Sequence, residues 1–502
     1  MTEQQTYLIR LSGDLSTKKG RAYARFRSRL ASNIRDAMKS HGIPFSLRLA
    51  RNRFYLCADE RAAPVLSRVF GIQSFSPEEC HPWSDLDDLL RLGEERFREL
   101  VRGKSFAVRA RRSRIRDQVE WSSLDIEREL GTRLLEYAAS VDLSSPEVTV
   151  RMELDREVVH LFHDVVAAQA GLPIGSGGRV LSLVSGGIDS AVASWLMLKR
   201  GVSVDYLFYN LGGGEHETQV LEVIRVLAEN WSYGYRPRLW LVDLRPQVED
   251  LRQHTPQHLW QVVLKRIMLR GAHEVALQAA AGALLTGEAL GQVSSQTLEN
   301  LNVIAAASPT PVLRPLLGFD KSEIITLARR IGTFELSARV PEYCALHGRS
   351  PATASTEEEL AGAEKGLDLA SFISGLEGSP SVDLRTLNAA SRRVDDPLAI
   401  AEIPQGAEVI DLRSQTAFSN WHYPGAVRLD FGAALEAYAH FDTSRVYVVC
   451  CEVEFKSAHL AERLRASGRR GHYFSGGTSR LLEWAAGQQL VDPASVAPAT
   501  RD

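Results

Sequence analysis

A glycine-rich stretch at the junction of a strand and a helix constrains the fold of this chain more than any other feature. Residues 181–201 read LSLVSGGIDSAVASWLMLKRG, which is an apolar strand pattern, a turn over residues 185–190 and an apolar helix pattern. Such a turn brings backbone N–H groups to the N-terminus of a helix, where they can bind phosphate. The stretch therefore predicts a parallel α/β domain with an anion site at this turn.

The turn differs from two common phosphate-binding motifs. No lysine follows the glycines, so it is not GxxxxGK[ST], and the glycine spacing is not GxGxxG. Its distinguishing groups are the hydroxyls of Ser185 and Ser190 and the carboxylate of Asp189. Hydroxyls and amides can hold a pyrophosphate, and Asp189 can hold Mg²⁺, which prefers oxygen ligands. The alternative is a glycine turn that only connects a strand to a helix.

Changes of pattern divide the 502 residues into several domains. A strand, a helix, two strands and a helix indicate a ferredoxin-like α+β domain, and a second α+β unit follows it. In that unit, Ser84 is a predicted N-cap, and Ser122 with Asp125 a predicted capping box. After GLPIGSGG, alternating strands and helices indicate a parallel sheet covered on both faces. The predicted limits are 1–60, 61–168, 171–350, a linker or surface helix at 351–400, and a final α/β module at 401–495.

Composition excludes several classes of protein. The formal net charge is -3, so the whole chain is no polycation. Five cysteines without a CxxC pair describe neither a disulfide scaffold nor a structural zinc site. The first residues lack the apolar core of a signal peptide, and no apolar run approaches the ~20 residues that span a bilayer. We therefore expect a soluble, cytoplasmic protein without membrane contact.

A basic cluster in the second α+β unit predicts contacts with RNA. Seven basic residues and no acidic residue fall between positions 102 and 116. Such a cluster would neutralise phosphates and make binding salt-dependent. A solvated charged face is the alternative. The residues that we expect to contact RNA are Arg109, Arg111, Arg112 and Arg114.

Several stretches together resemble a known family. The turn is similar to the SGGxDS signature of the PP-loop ATP pyrophosphatases, with Ile188 at the variable position. Further stretches resemble the tRNA 4-thiouridine synthetases, which are sulfurtransferases that also serve thiazole synthesis. These stretches are YNLGG (209–213), VLKRIMLR (263–270), LLTGEALGQVSSQTLENL (284–301), RPLLGFDKSEII (314–325) and PEYCALHGRSP (341–351). The resemblance covers essentially the whole chain. It implies ferredoxin-like, THUMP, PP-loop and rhodanese-like domains in that order, a multidomain α+β and α/β protein.

The resemblance implies an ATP site with Mg²⁺ at Asp189. ATP would be cleaved between its α and β phosphates, and a substrate oxygen would be adenylated. Asp189 and Lys321 match the family's essential acid and base positions, and a lysine there would stabilise charge that develops at phosphorus. Taken alone, Lys321 would be a solvated surface lysine. The residues implied to bind the nucleotide are Leu183, Val184, Ser185, Gly186, Gly187, Asp189, Ser190, Lys265, Gly287 and Gln296.

Adjacent cysteines in the last module are candidates for carrying sulfur. EVIDLRS, WHYPGA and YVVCCEVEFKS resemble the rhodanese scaffold, in which a cysteine at a strand end opens a loop into a helix. Backbone N–H groups at a helix N-terminus lower a thiol pKa. From the residues alone, Cys450 or Cys451 could be the carrier. The family pattern, with the cysteine six residues before Ser457, selects Cys451 and leaves Cys450 as a buried strand residue.

The resemblance also implies a reaction scheme. The Cys451 persulfide would supply sulfur to an adenylated uridine, and Cys344 would resolve it by forming a disulfide with Cys451. The sequence departs from the family pattern after Cys451, where the loop has no glycine and carries Glu452 and Glu454. These acids would oppose a thiolate unless they point outward, and we expect that they do.

The predicted function is ATP-dependent sulfur transfer to uridine 8 of tRNA, which gives 4-thiouridine. The implied partners are tRNA, a cysteine desulfurase as persulfide donor and, for thiazole synthesis, a small sulfur-carrier protein. Relatives suggest a homodimer, for which the sequence carries no interface signal. One alternative is a PP-loop ATP-pyrophosphatase ligase acting on a small molecule, which would need neither the basic cluster nor the last module. Another is a non-catalytic RNA-binding protein, against which the intact motifs argue.

Overall fold

The structure is a computed structural model. It describes residues 4–50, 53–112, 121–155, 157–211, 213–340, 351–385, 397–413, 415–430, 433–434, 437–451, 455–488 and 490. Arg114, Cys344 and the acids of the loop after Cys451 lie outside these ranges. The chain divides into two compact units, of which the first comprises Met1–Gly178, Leu196–Ser203 and Glu229–Arg236.

One nine-stranded sheet runs through both N-terminal α+β domains, in the order β2-β3-β1-β4-β8-β7-β5-β6 with β9 beside β4. The strands are β1 (Gln5–Leu11), β2 (Phe45–Leu49), β3 (Arg53–Ala58), β4 (Ile72–Pro82), β5 (Ser105–Arg112), β6 (Ser140–Val141), β7 (Val148–Leu154), β8 (Val158–Phe162) and β9 (Val166–Ala167). The helices are α1 (Gly13–Ser16), α2 (Gly20–Ser40), α3 (Ala62–Leu66), α4 (Leu86–Val101) and α5 (Ser123–Leu135). The long strand β4 joins the two domains, because it pairs antiparallel with β1 and with β8.

Each N-terminal domain has its own apolar core. Leu30, Leu66 and Phe75 are buried in the first core, although α3 and β4 follow residue 60, where the sequence predicts the end of this domain. Helices α4 and α5 contribute to a second core. The predicted capping box of α5 is present, but Asp85, not Ser84, caps α4, since its side chain accepts from the Asp88 N–H.

The central domain is a six-stranded sheet in the order β14-β13-β10-β11-β12-β15. Its strands are β10 (Arg179–Val184), β11 (Ser203–Asn210), β12 (Arg238–Asp243), β13 (Ala283–Leu285), β14 (Val312–Leu313) and β15 (Ser381–Asp383). Its helices are α6 (Ile188–Lys199), α7 (Gly213–Asn230), α8 (Arg245–His254), α9 (Trp260–Ala279), α10 (Leu298–Ala305), α11 (Lys321–Ile331), α12 (Phe334–Ser337), α13 (Glu357–Glu364) and α14 (Leu369–Ser374), with short 3-10 turns at Gln257–Leu259 and Ser294–Gln296. The pairs β10–β13, β11–β12 and β13–β14 are parallel, as the alternating pattern predicts.

The segment predicted as a linker contributes to this central domain. Strand β15 pairs antiparallel with β12 at the sheet edge. Leu360 and Phe372, from α13 and α14, lie in the same core as the buried face of α9. Glu357, Glu358 and Glu359 at the start of α13 are exposed, whereas Glu364 is buried with Leu360 and Ala363, so the sequence alone shows little apolar character here.

The C-terminal domain is a parallel five-stranded sheet in the order β16-β20-β19-β17-β18. Its strands are β16 (Ala399–Ile400), β17 (Glu408–Asp411), β18 (Val427–Arg428), β19 (Val446–Cys450) and β20 (Arg470–Phe474). Its helices are α15 (Gln415–Asn420), α16 (Phe455–Ala466) and α17 (Gly477–Gly487), with a 3-10 turn at Tyr438–His440. In the part of the chain that the structure describes, no helix combines the length and the apolar character needed to cross a membrane.

Candidate active site

The glycine turn forms the tight connection that the sequence predicts. Strand β10 ends at Val184 and helix α6 begins at Ile188. Gly186 has a φ of +77°, and a Cβ atom there would lie 2.8 Å from the Val220 side chain, so glycine is required. The Ser190 hydroxyl donates to the Gly187 carbonyl at 3.1 Å, which closes the turn against the first turn of the helix. The backbone N–H groups of this helix start are therefore available to an anion.

A cavity of about 440 Å³ opens beside this turn. It lies where β10 and β13 end, which is the usual binding edge of a parallel sheet. The predicted residues in its wall are Leu183, Val184, Ser185, Gly187, Asp189, Ser190, Lys265, Gly287, Gln296 and Lys321, and Gly186 belongs to the same turn. The fold thus brings together side chains that are far apart in the sequence.

Gly287 allows two backbone segments to come close together. A Cβ atom on Gly287 would lie 2.6 Å from the Ser190 nitrogen and 2.7 Å from the Asp189 carbonyl carbon. A side chain at Gly287 would therefore push the segment that follows β13 away from the start of α6. This contact explains in physical terms why glycine occupies the position.

The predicted acid and base positions form an ion pair. Lys321 Nζ donates to Asp189 Oδ1 at 2.7 Å, and Gln292 Nε2 donates to Asp189 Oδ2 at 3.1 Å. Lys321 is the first residue of α11, whose start is held by a capping box between Asp320 and Glu323. The cap therefore directs the half-exposed lysine toward the turn.

A buried carboxylate that the sequence analysis did not single out holds two cations in the cavity wall. Glu288 accepts from Lys265 Nζ at 2.8 Å and from Arg314 Nε at 2.7 Å. Burial raises the pKa of the Glu288 carboxyl, but the charges of Lys265 and Arg314 outweigh it and leave that pKa below its usual value. Glu288 lies inside the quoted stretch LLTGEALGQVSSQTLENL, but its two partners meet it only in the folded chain.

His216 is a second cavity residue that the sequence analysis did not single out. Its ring is buried, packs edge-on against Phe208 at 4.7 Å between centroids, and places Nε2 3.4 Å from the Ser185 carbonyl. Burial lowers the pKa of His216 to about 4, so the ring is neutral at physiological pH. A neutral ring can donate from Nε2 to the Ser185 carbonyl and so stabilise the glycine turn.

The donor set at the cavity limits how a metal ion could bind. Among the described residues, no group of three or more His, Cys, Asp or Glu side chains is arranged to hold a metal ion. Mg²⁺ commonly binds through one or two carboxylates together with phosphate oxygens. Asp189 fits that mode, with its carboxylate beside the turn.

The structure places the two adjacent cysteines differently. Cys450 ends β19, donates toward the Ile410 carbonyl at 3.5 Å, and is buried, which raises the pKa of its thiol. Cys451 Sγ accepts from the Ser457 backbone N–H at 3.4 Å, in the first turn of α16. Cys451 is 3% exposed, so its sulfur is enclosed in this conformation. The sulfur therefore lies near a helix N-terminus, as the sequence predicts.

Three of the predicted RNA-binding arginines, Arg109, Arg111 and Arg112, lie on β5, in the part of the basic cluster that the structure describes. Arg111 is exposed, whereas Arg109 donates to the Leu143 carbonyl at 2.7 Å and Arg112 donates to the Trp121 carbonyl. Along the strand, Phe106 and Val108 face the core. The alternation places Arg109 and Arg111 on the opposite face.

Comparison with known families agrees with this architecture. Four family profiles match successive parts of the chain, namely the ThiI ferredoxin-like domain at residues 6–76, the THUMP domain at 84–164, thiamine biosynthesis protein (ThiI) at 175–369 and the rhodanese-like domain at 393–483. The fold is therefore a multidomain sulfurtransferase architecture of ferredoxin-like, THUMP, PP-loop and rhodanese-like domains.

Curated relatives extend over nearly the whole chain. A tRNA sulfurtransferase of Thermoplasma acidophilum is 35% identical over 484 residues, 96% of this chain and 97% of that protein. One of Yersinia pestis is 33% identical over 480 residues, 92% of this chain and 98% of that protein. The chain belongs to the tRNA sulfurtransferase family.

Solved structures share a large part of this architecture. A crystal structure of a 4-thiouridine synthetase–RNA complex with bound ATP superposes with a TM-score of 0.66 at 30% identity, covering 76% of this chain and 99% of that chain. A protein of Pyrococcus horikoshii superposes with a TM-score of 0.53 at 23% identity, covering 65% of this chain and 99% of that chain. The second likeness concerns the fold alone.

Proposed function

We propose that this chain transfers persulfide sulfur to uridine 8 of tRNA, using ATP, and gives 4-thiouridine through an adenylated intermediate. The observation that carries the proposal is the single cavity in which the glycine turn, Lys265, Gly287, Gln296 and Lys321 meet. The related 4-thiouridine synthetase structure contains both RNA and ATP, which supports the same substrates here.

The cavity fits an adenine nucleotide. The turn and the start of α6 offer N–H groups to phosphates, and Met268, Leu269 and Ile304 form an apolar part of the wall. Gln296 lines the same cavity, and its buried Oε1 accepts no hydrogen bond from the described residues. A glutamine amide can pair with the N6 and N7 edge of adenine, which suits this orphaned acceptor.

Asp189 and Lys321 would act at the phosphates. Asp189 would hold Mg²⁺, which when bound would offset negative charge on the phosphates. Lys321, 2.7 Å from Asp189, would stabilise the negative charge that develops as the bond to pyrophosphate breaks. The uridine O4 would attack the α phosphorus, the N3 proton would pass to solvent, and pyrophosphate would leave. The oxygen would become part of a good leaving group, and N3 would regain a proton when 4-thiouridine is released.

Sulfur transfer would then proceed through Cys451. The terminal sulfur of its persulfide would attack uridine C4, AMP would leave with O4, and the base would stay joined to Cys451 by a disulfide. Attack by the Cys344 thiolate on the Cys451 sulfur would release 4-thiouridine and leave a disulfide between Cys344 and Cys451, which a reductant reopens. Cys451 Sγ is enclosed in this conformation, so the sulfur must become accessible for both steps.

The remaining partners are those that the family resemblance implies. The THUMP domain and the arginines of β5 would bind the tRNA, mainly by shape and phosphate contacts. A cysteine desulfurase would load the Cys451 persulfide. The profile described as thiamine biosynthesis protein supports a second role, sulfur delivery to a small carrier protein for thiazole synthesis. A homodimer stays a prediction.

One assay tests the proposed function. Protein is incubated with tRNA, ATP, Mg²⁺ and a persulfide donor, and both pyrophosphate release and 4-thiouridine absorbance are followed. Cys451→Ser should keep tRNA-dependent pyrophosphate release and lose 4-thiouridine, because adenylation precedes sulfur transfer. The matched control Cys450→Ala should retain both. Pyrophosphate release that does not depend on tRNA would instead support a ligase acting on a small molecule.

A further inference from the structure

We infer that Glu288 is a positioning residue of the nucleotide site, which holds Lys265 in place for ATP and shares its carboxylate with Arg314. The inference rests on the proposed use of ATP. It concerns a residue that touches the predicted nucleotide-binding lysine rather than the reacting atoms.

The geometry around Glu288 uses both carboxylate oxygens. Oε1 accepts from Lys265 Nζ at 2.8 Å. Oε2 accepts from Arg314 Nε at 2.7 Å and from the Thr286 hydroxyl at 3.1 Å. Lys265 lies on α9, Arg314 directly follows β14, and Glu288 follows β13. One buried carboxylate therefore joins three elements at the cavity edge.

The charge balance makes Lys265 depend on Glu288. Glu288 is 8% exposed, and Arg314 is similarly buried. Two cations that share one carboxylate lie close together, and their repulsion is strong where water is scarce. Without the negative charge, Lys265, the more exposed of the two cations, is expected to turn away from its present position toward solvent.

A purely structural role is the competing explanation. Glu288 would then only tie β13 to β14, and its loss would lower stability without a specific effect on ATP. The chain contains a matched control for this explanation. Glu364 is also a buried carboxylate that joins two cations, Arg266 Nε and Arg270 Nη2, each at 2.6 Å, and both belong to α9. Glu364 is not in the cavity wall.

The experiment compares Glu288→Gln with Glu364→Gln in tRNA-dependent pyrophosphate release. Glu288→Gln should raise KM for ATP about tenfold and change kcat less than about threefold, the pattern expected when binding shared by ground and transition states is lost. Glu364→Gln should lower the melting temperature and leave KM unchanged. If Glu288→Gln does not fold, Glu288→Asp serves as the second variant. It keeps the charge, but its shorter side chain cannot reach both cations, so it should also raise KM for ATP.

A double variant tests whether Glu288 acts through Lys265. If it does, Lys265→Met with Glu288→Gln should have the KM of Lys265→Met alone, because interacting residues are not additive. The inference would be overturned if KM of the double variant rose by the product of the two single-variant effects. Equal KM values for Glu288→Gln and Glu364→Gln would overturn it as well. If wild-type protein releases no pyrophosphate, the proposed function fails. Calorimetric titration with ATP then tests Glu288 separately, with weaker binding expected for Glu288→Gln and unchanged binding overturning its role.

Discussion

At the residue scale, the site depends on charged groups that become neighbours only on folding. Lys321 and Asp189 are 132 positions apart in the chain and meet at 2.7 Å. Lysines are usually solvated surface residues, so the type of residue at 321 does not predict this contact. The family motif suggested a role for Lys321, and the structure supplies the partner through which the lysine reaches the glycine turn.

Replacing Lys321 tests its role. Lys321→Met removes the cation that the proposed mechanism places beside the phosphates, so we expect kcat for pyrophosphate release to fall by about 100-fold or more, with a smaller change in KM. The measurement is steady-state pyrophosphate release with saturating tRNA. Lys365→Met, an exposed lysine outside the cavity wall, is the control and should match the wild type. Retention of full kcat by Lys321→Met would remove Lys321 from the mechanism.

A buried histidine in the N-terminal sheet makes a second prediction at this scale. His160 contacts Glu78 through Nδ1 and the Tyr55 hydroxyl through Nε2 at 3.2 Å. Burial lowers the pKa of His160, but hydrogen bonds to Cys80 and Glu78 and the nearby negative charge outweigh it and raise that pKa to about 9. The protonated ring therefore stabilises the folded state.

The sign of the pH effect follows from this raised pKa. The stabilisation is fully present below the unfolded pKa of about 6.5 and is lost as pH rises through about 9, with a size of roughly 3 kcal/mol. We expect the melting temperature of wild type to exceed that of His160→Gln most clearly near pH 6, with the gap narrowing between about pH 6.5 and 9 and gone above about pH 9. A gap that is constant with pH would show that His160 is neutral when folded.

At the element scale, some boundaries were predictable and others were not. The capping box of α5 was predicted from Ser122 and Asp125, because its contacts are local. Strand β4 was missed, because Pro77 and Glu78 interrupt its apolar pattern. Its pairing partners, β1 and β8, are distant in the chain. The sequence predicts a linker or surface helix where α13 and α14 lie, because their burial depends on a partner, α9, that their own sequence does not reveal.

The attachment of α13 can be tested at Arg266. Its guanidinium is buried and donates to Glu364 Oε1 at 2.6 Å and to Glu357 Oε1 at 2.8 Å. Arg266→Ala leaves Glu364 with one of its two cations, so we expect the free energy of unfolding to fall by about 3 kcal/mol or more. Urea unfolding measures the change. The exposed Arg252→Ala should stay within about 0.5 kcal/mol of wild type.

At the scale of the whole molecule, the proposed function assigns different steps to different parts of the chain. The β5 arginines belong to the first compact unit, and the cavity beside the glycine turn and Cys451 belong to the second. The basic cluster between positions 102 and 116 indicates this division, whereas the net charge of -3 for the whole chain does not reveal it. Binding of RNA and binding of ATP should therefore respond to separate substitutions.

A double arginine variant tests this separation. Replacing Arg109 and Arg111 by serine should weaken tRNA binding and reduce the slope of log affinity against log salt by roughly 1 to 2, while ATP affinity stays unchanged. Filter binding over a salt series measures the slope. A matched loss of two exposed cations, at Arg252 and Lys365, should leave it unaltered. An unchanged slope in the β5 variant would place the RNA contacts elsewhere.

The sequence by itself determined the features that rest on local physics. A glycine with positive φ at 186, the strand–turn–helix around it and the cysteine before a helix start depend on neighbours within a few residues. Only the tertiary structure decided which distant groups meet. The approach of Gly287 to the start of α6, and the pairing of Glu288 with Lys265 and Arg314, follow from the parallel pairing of β10, β13 and β14. Sheet pairing joins segments that no local pattern relates, so these contacts could not be derived from the sequence.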